Sequence, residues 1–275
     1  MDFNIMNIAF IGGGNMGEAI VGALLAKKLS VPTDISVSDI SEPRRQYLEK
    51  QYSVTVTSKN REAVSGKEVV VLAVKPQNLL EVLADLKGYL KPDQLVLSIV
   101  AGVKIGTICQ GLVHQRVVRS MPNTPAQIGL GISGWTATKE VTEKQKKWAR
   151  AILSAMGKEI YFGEEEYLDM VTAVSGSGPA YFYLFAESLI DAAVDLGLSR
   201  KDAEELVSQT MLGAAHLMQK SGKPPAELRR NVTSRGGTTE RAIQVFEESG
   251  FARIVSEAVK AACQRAKELG EPPKS

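Results

Sequence analysis

The chain has 275 residues, of which 44% are hydrophobic, and its formal net charge at pH 7 is only +2. This composition excludes a chain dominated by disorder, and the length predicts two domains. Because the basic residues lie in surface-helix settings without interleaved aromatic side chains, a nucleic-acid-binding surface is disfavoured.

Cysteine and histidine are scarce, with two of each in the whole chain. Cys109 and Cys263 are too few and too far apart for a disulfide framework, and His114 and His216 complete no metal-binding pattern with them. We therefore expect a reduced, cytoplasmic protein without a metal. The first residues lack the pattern of a signal peptide, and apolar runs such as Val69–Val74 are too short to cross a bilayer, so no membrane attachment is expected.

A glycine-rich turn follows the first apolar run, Ile8–Ile11, and leads into a helix of small residues. Gly12 permits a tight turn, Gly14 lets the backbone approach a pyrophosphate, and Gly17 allows the helix to pack closely. Phosphate would then meet free N–H groups at the positive end of that helix. The pattern predicts a dinucleotide site; an ordinary glycine-rich turn is the alternative.

Short apolar runs alternate with amphipathic stretches up to about residue 163, a pattern typical of strands joined by crossover helices. It predicts an α/β fold whose first domain is a Rossmann-type, doubly wound parallel sheet covered by helices on both faces. The predicted strands span residues 7–11, 34–38, 54–57, 69–74, 95–100, 116–120, 131–137 and 159–162. The predicted helices span residues 16–28, 42–51, 60–64, 78–88, 104–112 and 142–156.

Polar residues follow the second and third predicted strands. Asp39 ends the second strand, where an acidic residue accepts hydrogen bonds from the adenosine ribose of NADH. Arg44 and Arg45 come shortly after, and an arginine at this point accommodates the 2′-phosphate of NADPH instead, so both cofactors stay open. Asn60 begins the helix after the third strand and serves either as an N-cap or as an adenosine contact.

Three turns follow the later strands, at the sheet edge where ligands of parallel sheets collect. They comprise residues 73–77, 100–102 and 121–126. Proline fixes the backbone of the first and third turns, which suits the walls of a pocket for a flat ring. Lys75 and Asn123 are placed there to reach polar edges of a cofactor; rigid loops without a ligand are the alternative.

The second half of the chain changes pattern, because long alanine-rich segments with helical spacing replace every strand signal. The predicted domains are residues 1–163 and an all-α domain at 164–275. Its predicted helices span residues 165–196, 200–221, 224–230, 238–249 and 251–269. Several of them are apolar on more than one side, which favours oligomerisation over a monomer that folds these helices onto its own sheet. Glu164–Glu166 is interpreted as a solvated helix start, and residues 271–275 as a disordered tail.

Two segments of the helical half are candidates for ligand contact. Ser175–Tyr181 places two glycines in a helical pattern, at about 1 kcal/mol each relative to alanine, which indicates close approach by a ligand or another backbone, or a helix crossing. In Asn231–Glu240 a glycine turn runs into a helix, so hydroxyl and N–H groups form a cradle for a small carboxylate. Between Lys158 and Arg200 there is no Lys, Arg or His, which argues against the cationic acid/base of an alcohol dehydrogenase.

Five segments, taken in order, resemble those of the pyrroline-5-carboxylate reductase family, and the resemblance covers nearly the whole chain. They are Gly12–Gly17, Ala73–Gln77, Met121–Pro125, Ser175–Tyr181 and Val232–Thr239. The last is the family's most specific signature. Arg235 departs from the pattern, since many members have proline there, and so does Asp39, since NADPH-preferring relatives tend to have a small hydroxyl residue.

The resemblance implies reduction of the C=N bond of 1-pyrroline-5-carboxylate to L-proline by NADPH or NADH, the last step of proline biosynthesis. Thr239 would be the catalytic residue, donating to the ring nitrogen. The implied substrate-binding residues are Ser177, Ser234, Gly237 and Thr238. The implied cofactor-binding residues are Gly12, Gly14, Asn15, Met16, Gly17, Asp39, Asn60, Ala73, Val74, Lys75, Pro76 and Asn123. Members pair helical domains of the 6-phosphogluconate dehydrogenase C-terminal type into homodimers, often gathered as decamers.

Two other functions share part of this pattern. A β-hydroxyacid or 6-phosphogluconate-type dehydrogenase has the same two halves, but its catalytic lysine has no counterpart after Gly178. A non-catalytic nucleotide-sensing protein would keep the glycine turn but would have no need for Ser234 and Thr239.

Overall fold

The computed structural model describes residues 6–270, so the tail predicted at 271–275 lies outside the described residues. The chain divides into two compact units. One contains the described residues up to Ser177 together with those from Ala262 onward, and the other is Gly178–Ala261. No helix in the described part of the chain has the length and apolarity needed to cross a membrane.

The eight strands predicted from the sequence are all present, and the helices lie close to their predicted positions. The strands are β1 (Ile8–Ile11), β2 (Ile35–Ser38), β3 (Thr55–Thr57), β4 (Val69–Leu72), β5 (Leu95–Ser98), β6 (Val117–Met121), β7 (Gly131–Ala137) and β8 (Gly157–Tyr161). The helices among and after them are α1 (Asn15–Ala26), α2 (Glu42–Tyr52), α3 (Asn60–Val64), α4 (Leu79–Leu86), α5 (Ile105–Leu112), α6 (Glu143–Ala155) and α7 (Tyr167–Val171). The remaining helices are α8 (Gly178–Asp195), α9 (Arg200–Ser221), α10 (Pro225–Asn231), α11 (Thr238–Glu248) and α12 (Phe251–Leu269).

The strands form one sheet in the order β3-β2-β1-β4-β5-β6-β7-β8. Strand order reverses between β1 and β4, the switch point where doubly wound folds bind dinucleotides. Alternate residues of β1 enter different core clusters, with Ile8 and Phe10 in one and Ala9 and Ile11 in the other. Both faces of the sheet are therefore covered, which explains why its central strands are unbroken apolar runs. The prediction of a doubly wound sheet is confirmed.

The prediction of a sheet that is parallel throughout is wrong at β7. This strand runs antiparallel to β6, so that Val118 pairs with Ala137 and Met121 with Gly134. Residues 122–130 connect the two strands through a short 3-10 turn at Thr124–Ile128 without an α-helix. A parallel pair needs a crossover of roughly a dozen residues or more, so this short connection returns the chain antiparallel.

The single helix predicted at 165–196 is interrupted, and that prediction is also wrong. A π-helical turn at Thr172–Gly176 separates α7 from α8, and the N–H of Ser177 donates to the carbonyl oxygen of Thr172 at 2.8 Å. The π-helical turn ends at Gly176, and Gly178 begins α8, so the interruption lies next to the two glycines. At Gly176 an added Cβ would lie 2.8 Å from Cε of Met121. The side chain of Met121 at the end of β6 therefore packs over Gly176, and a side chain there would displace its terminal methyl group.

The end of α12 completes the first unit. Ala266 is buried, and Gly102, in the turn after β5, has φ of +70° and would place a Cβ 2.8 Å from Cβ of Leu269. Glycine at this turn therefore lets the last turn of α12 pack directly against it. For the turn at 100–102, this contact explains the glycine without a ligand.

The helices of the second unit bury almost nothing inside it. Among residues 178–261, only Gly178 and Ala203 are buried. Phe185, Phe246 and Phe251 pack around one another with ring centroids 5.5 to 6.3 Å apart, yet each remains more than one third exposed. Large apolar side chains left exposed in contact with one another are typical of a surface that binds another protein, so this unit has the character of an interaction domain.

Glu164 and Glu166 are exposed just before α7, as the interpretation of the acidic cluster expects, but for Glu165 that interpretation is wrong. Its Oε1 accepts a hydrogen bond from Nη1 of Arg119 at 2.7 Å and another from the N–H of Ile105 at 2.8 Å. Arg119 is buried, with 5% of its side chain exposed, and its other terminal nitrogen lies 3.6 Å from Asp169. One guanidinium thus joins β6 to α7, and Glu165 also satisfies the first N–H of α5.

We predict that Arg119→Met lowers the free energy of unfolding by about 2 to 3 kcal/mol, because it leaves two partly buried carboxylates without their cation. Glu165 remains 26% exposed, which keeps the expected loss below the roughly 3 to 5 kcal/mol that is typical of fully buried pairs. Arg253→Ala is the matched control, since its pair with Glu257 is solvent-exposed and should be worth less than about 0.5 kcal/mol. Urea unfolding at one fixed protein concentration measures both; equal losses in the two variants would contradict the prediction.

Candidate active site

The loop between β1 and α1 is held against the end of β4 by glycine geometry. Gly12 has φ of +100°, and a Cβ there would lie 2.7 Å from the carbonyl oxygen of Ala73. A Cβ on Gly17 would lie 2.6 Å from the carbonyl oxygen of Gly12. Both positions therefore exclude any side chain, and the loop folds tightly back onto α1.

Gly14 is different, because its missing side chain leaves open space. It is the N-cap of α1, and an added Cβ would meet no atom within 4 Å. No side-chain hydrogen bond caps this helix, so the N–H groups of its first turn, which includes Asn15 and Met16, keep their capacity to bind an anion. The cradle fits a dinucleotide pyrophosphate.

Asp39 joins the end of β2 to the same loop. Its Oδ2 accepts a hydrogen bond from the N–H of Gly13 at 2.8 Å, and its Oδ1 accepts one from the N–H of Ser41 at 2.8 Å. The carboxylate thus orients the glycine loop, a contact that sequence reasoning missed. It also lies where doubly wound folds place the acidic partner of an adenosine ribose.

A second charged group borders the loop, and its central residue, Glu18, was not among the sequence predictions. The Nε of Arg44 donates to the carbonyl oxygen of Gly13, and its Nη2 donates to Oε2 of Glu18. Tyr47 and Tyr52 each donate a phenolic hydrogen bond to Oε1 of Glu18 at 3.0 Å. The sequence contains no signal for this cluster, because α1 and α2 contribute to it from distant positions.

The other predicted cofactor residues lie at the carboxyl ends of neighbouring strands. Oδ1 of Asn60 accepts from the hydroxyl of Ser38 at 2.7 Å, and its Nδ2 donates to Asp85 at 3.1 Å. Asn60 is not an N-cap, since Lys59 occupies that position in α3. The N-cap alternative for Asn60 is therefore wrong, and its side chain links the end of β2 to α4.

The turn after β4 and the turn after β6 carry the remaining predicted cofactor contacts. Ala73 donates its N–H to the carbonyl oxygen of Ile11 at 2.8 Å, which places this turn beside the glycine loop. Lys75 and Pro76 are exposed and begin a 3-10 turn. Asn123 uses its Oδ1 to accept from the N–H of Ile132 at 2.9 Å, so its side chain fixes the start of β7.

Of the predicted substrate-binding residues, Ser234, Gly237 and Thr238 lie in the second unit. Ser177 lies in the first unit, directly before α8. Gly236 has φ of +72°, and its N–H donates to Oε2 of Glu240 at 2.7 Å. The N–H of Gly237 donates to the carbonyl oxygen of Ser234 at 3.0 Å. A Cβ on Gly237 would lie 2.5 Å from Oγ of Ser234 and 3.0 Å from its carbonyl oxygen, so a side chain at that position would displace the Ser234 hydroxyl.

This turn leads directly into α11, which Gly237 caps and which begins with Thr238 and Thr239. The hydroxyl of Ser234, the two threonine hydroxyls and the N–H groups of the first helical turn thus belong to one short segment. Thr239 is partly buried, whereas Ser234 and Thr238 are exposed. Such a set of donors suits a small carboxylate together with a polar ring atom.

Comparison with known proteins agrees with this geometry. Residues 7–102 match the family model of coenzyme F420-dependent NADP oxidoreductases, and residues 165–269 match that of the pyrroline-5-carboxylate reductase dimerisation domain. Fold and glycine loop together define an NAD(P)-dependent oxidoreductase. The pyrroline-5-carboxylate reductase of Pseudomonas aeruginosa is 46% identical over 266 residues, which cover 96% of this chain and 97% of that protein. The chain belongs to the pyrroline-5-carboxylate reductase family.

Solved structures lead to the same family. A pyrroline-5-carboxylate reductase from Coxiella burnetii superposes with a TM-score of 0.90 at 39% identity, covering 98% of this chain and 100% of that one. The pyrroline carboxylate reductase of Plasmodium falciparum, whose structure has NADP bound, gives a TM-score of 0.86 at 34% identity, covering 97% of this chain and 98% of that one. The fold of the whole chain is therefore that of these reductases.

We predict that Gly12→Ala and Gly14→Ala separate folding from cofactor binding. Gly12→Ala should lower the free energy of unfolding by about 2 kcal/mol or more, because Cβ meets backbone at a strained φ. Gly14→Ala should change stability by less than about 0.5 kcal/mol and still raise the Kd for NADH or NADPH about tenfold, because its methyl group enters the phosphate cradle. Urea unfolding and cofactor titration are the measurements; unchanged cofactor affinity in Gly14→Ala would refute the cradle.

Proposed function

We propose that this chain reduces 1-pyrroline-5-carboxylate to L-proline with NADPH or NADH, the final step of proline biosynthesis. One observation carries the proposal. A glycine loop at the switch point of a doubly wound sheet and a hydroxyl-rich turn opening α11 occur together in a chain that is 46% identical to a relative named for this reaction. A dehydrogenase or a nucleotide sensor of related architecture would not need the second feature.

The turn before α11 is proposed to bind the substrate carboxylate. Ser234 offers a hydroxyl, and Thr238 offers an N–H group at the positive end of an eleven-residue helix, where a negative charge is stabilised. The N–H of Gly237 already donates to Ser234 within the turn, so a carboxylate would share that donor. Ser177 is proposed as a further contact.

Thr239 is the proposed catalytic residue, with its hydroxyl donating to the ring nitrogen of the imine. When bound, the nicotinamide supplies the hydride that reaches the imine carbon. Since an imine is readily protonated, the protein needs to contribute orientation and one donor rather than a strong base. This requirement agrees with a helical segment that has no Lys, Arg or His between Lys158 and Arg200.

The cofactor would lie along the carboxyl edge of the sheet. The proposed pyrophosphate contacts are Gly12, Gly14, Asn15, Met16 and Gly17. The proposed nicotinamide contacts are Ala73, Val74, Lys75, Pro76 and Asn123, while Asn60 borders the adenosine. Asp39 favours NADH, because its negative charge opposes the 2′-phosphate of NADPH at short range.

Purified protein mixed with 1-pyrroline-5-carboxylate should oxidise NADH or NADPH and form one proline for each cofactor oxidised. In a Thr239→Ala variant, kcat should fall at least about a hundredfold, because the donor to the ring nitrogen is lost. Nicotinamide absorbance and proline quantification measure both results. Folded, nucleotide-binding protein that oxidises neither cofactor would overturn the proposed function.

Thr238→Ala is the matched control for Thr239→Ala. It removes the neighbouring hydroxyl of α11 but retains the backbone N–H that is proposed to hold the carboxylate, so kcat should stay within about threefold of wild type. Circular dichroism of both variants shows whether the helix is intact. Full turnover in correctly folded Thr239→Ala would remove Thr239 from the mechanism.

We also propose that residues 164–275 form a dimerisation and substrate domain, and that the homodimers assemble further, as in a decamer of five dimers. The apolar surface left exposed by residues 178–261 supports this assembly. Light scattering should give a particle mass of at least twice the 29.7 kDa of one chain, because burial of that surface drives association. A single-chain mass across the micromolar range would contradict it.

A cytoplasmic location remains part of the proposal. It rests on the cysteine content, since Cys109 and Cys263 are both free thiols in the structure and a reducing compartment keeps them so.

A further inference from the structure

Glu18 of α1 and Arg44 of α2 form an ion pair beside the glycine loop. The carboxylate contacts the guanidinium directly, and the two side chains are only 21% and 23% exposed. Arg44 also donates to the carbonyl oxygen of Gly13. The guanidinium is therefore held at the loop, with Glu18 as its counter-charge.

Asp39 is fixed to the same residue of the loop through the other backbone polar group of that residue. Its Oδ2 accepts from the N–H of Gly13, while Arg44 donates to the carbonyl oxygen of Gly13. An acidic residue and a basic residue thus compete at one place. In doubly wound folds, an acid there accepts from the ribose 2′-hydroxyl of NADH, and an arginine there accepts the 2′-phosphate of NADPH.

The outcome of that competition depends on which charge has a partner. Arg44 is neutralised by Glu18, whereas the bonds that Asp39 accepts come from the uncharged N–H groups of Gly13 and Ser41. Arg45 donates to the backbone carbonyl oxygen of Asp39 at 2.7 Å, so its guanidinium does not contact the carboxylate through that bond. Among the described residues no cation bonds to the carboxylate of Asp39, although Arg45 lies nearby, so the negative charge of Asp39 is less compensated than the positive charge of Arg44.

We infer that Glu18 is a positioning residue that sets the cofactor preference, because it neutralises Arg44 and holds it against Gly13, so that Asp39 selects NADH over NADPH. The inference rests on the proposed function, in which this loop binds the dinucleotide. Glu18 itself contacts Arg44, Tyr47 and Tyr52 and acts through the first of these.

The surroundings of Glu18 keep it ionised and in place. Burial raises its pKa, but hydrogen bonds from Arg44, Tyr47 and Tyr52 outweigh that effect, so the pKa of the Glu18 carboxyl lies below its usual range. Burial and the hydrogen bond to Glu18 raise the pKa of Tyr52 to about 12, so this phenol stays protonated and continues to donate. The ion pair between Glu18 and Arg44, with the two tyrosine hydrogen bonds, is therefore retained throughout the physiological pH range.

A purely structural role for the pair makes a different prediction. If the ion pair only ties α1 to α2, its loss loosens the loop and weakens NADH and NADPH to the same extent. If Glu18 acts as inferred, its loss leaves Arg44 without a counter-charge next to Asp39. NADPH then binds more tightly relative to NADH, so the ratio of the two dissociation constants distinguishes the roles.

The test is to measure Kd for NADH and for NADPH with full-length wild type and Glu18→Gln, by calorimetry in the absence of the imine substrate. Wild type should bind NADH more tightly. In Glu18→Gln, the ratio of Kd for NADPH to Kd for NADH should fall by roughly five- to tenfold, as expected for one partly exposed charge. The ratio of kcat/KM values should fall in parallel. Tighter binding of NADPH by wild type, or an unchanged ratio in the variant, would overturn the inference.

Three further variants complete the experiment. Glu62→Gln removes an exposed carboxylate that pairs with Lys59 and should leave the ratio unchanged. Adding Arg44→Gln to Glu18→Gln should cancel the gain in NADPH affinity, because the freed cation is absent. If Glu18→Gln does not fold, Tyr52→Phe removes one bond to Glu18 without changing charge, and the ratio should fall about twofold; no change there would count against the inference. Since these readouts need no turnover, they decide the inference even if imine reduction fails.

Discussion

The contact between the backbones of Gly12 and Ala73 is the constraint on which the cofactor site depends. It brings the loop after β1 against the turn after β4, and only a residue without Cβ permits it. The same loop is tied to β2 through a hydrogen bond of 2.7 Å from the N–H of Gly12 to the carbonyl oxygen of Ser38. Three strand ends thus meet at one turn, and the start of α1, Asp39 and the turn at Ala73 are all positioned by that meeting.

The positions of the charged side chains at the loop follow from this packing. Because Gly13 is fixed between β1 and α1, its two backbone polar groups become attachment points for Asp39 and Arg44. Residues that lie far apart in sequence therefore act on one small volume. In the helical unit, a glycine turn likewise brings polar groups together, but from one short segment that contains Ser234, Thr238 and Thr239. Both proposed binding loops end at a helix N-terminus, where anionic groups are stabilised.

Local sequence patterns were sufficient to predict much of this structure. The eight strands and the glycine loop could be predicted because apolar runs, turn residues and helix starts are properties of short segments. The direction of β7 depends on the length of its connection to β6, which the pattern of β7 itself does not contain. The partner of Glu165 is Arg119, and the partner of Glu18 is Arg44; such pairs are created by tertiary packing, so no periodicity indicates them. At the break at Thr172–Gly176, the glycines indicated that a continuous helix would be destabilised. They did not indicate that the chain forms a π-helical turn there.

The packing of Leu269 against Gly102 has a consequence for synthesis of the chain. The first unit contains the described residues from Ala262 onward, so residues 178–261 must be translated before its last piece exists. At about 5 to 20 residues per second, that interval lasts roughly 4 to 17 s. During it, the nascent sheet carries an uncovered turn at Gly102 that the last turn of α12 later covers. Completion of the nucleotide-binding unit is thereby delayed until the residues from Ala262 onward have been translated.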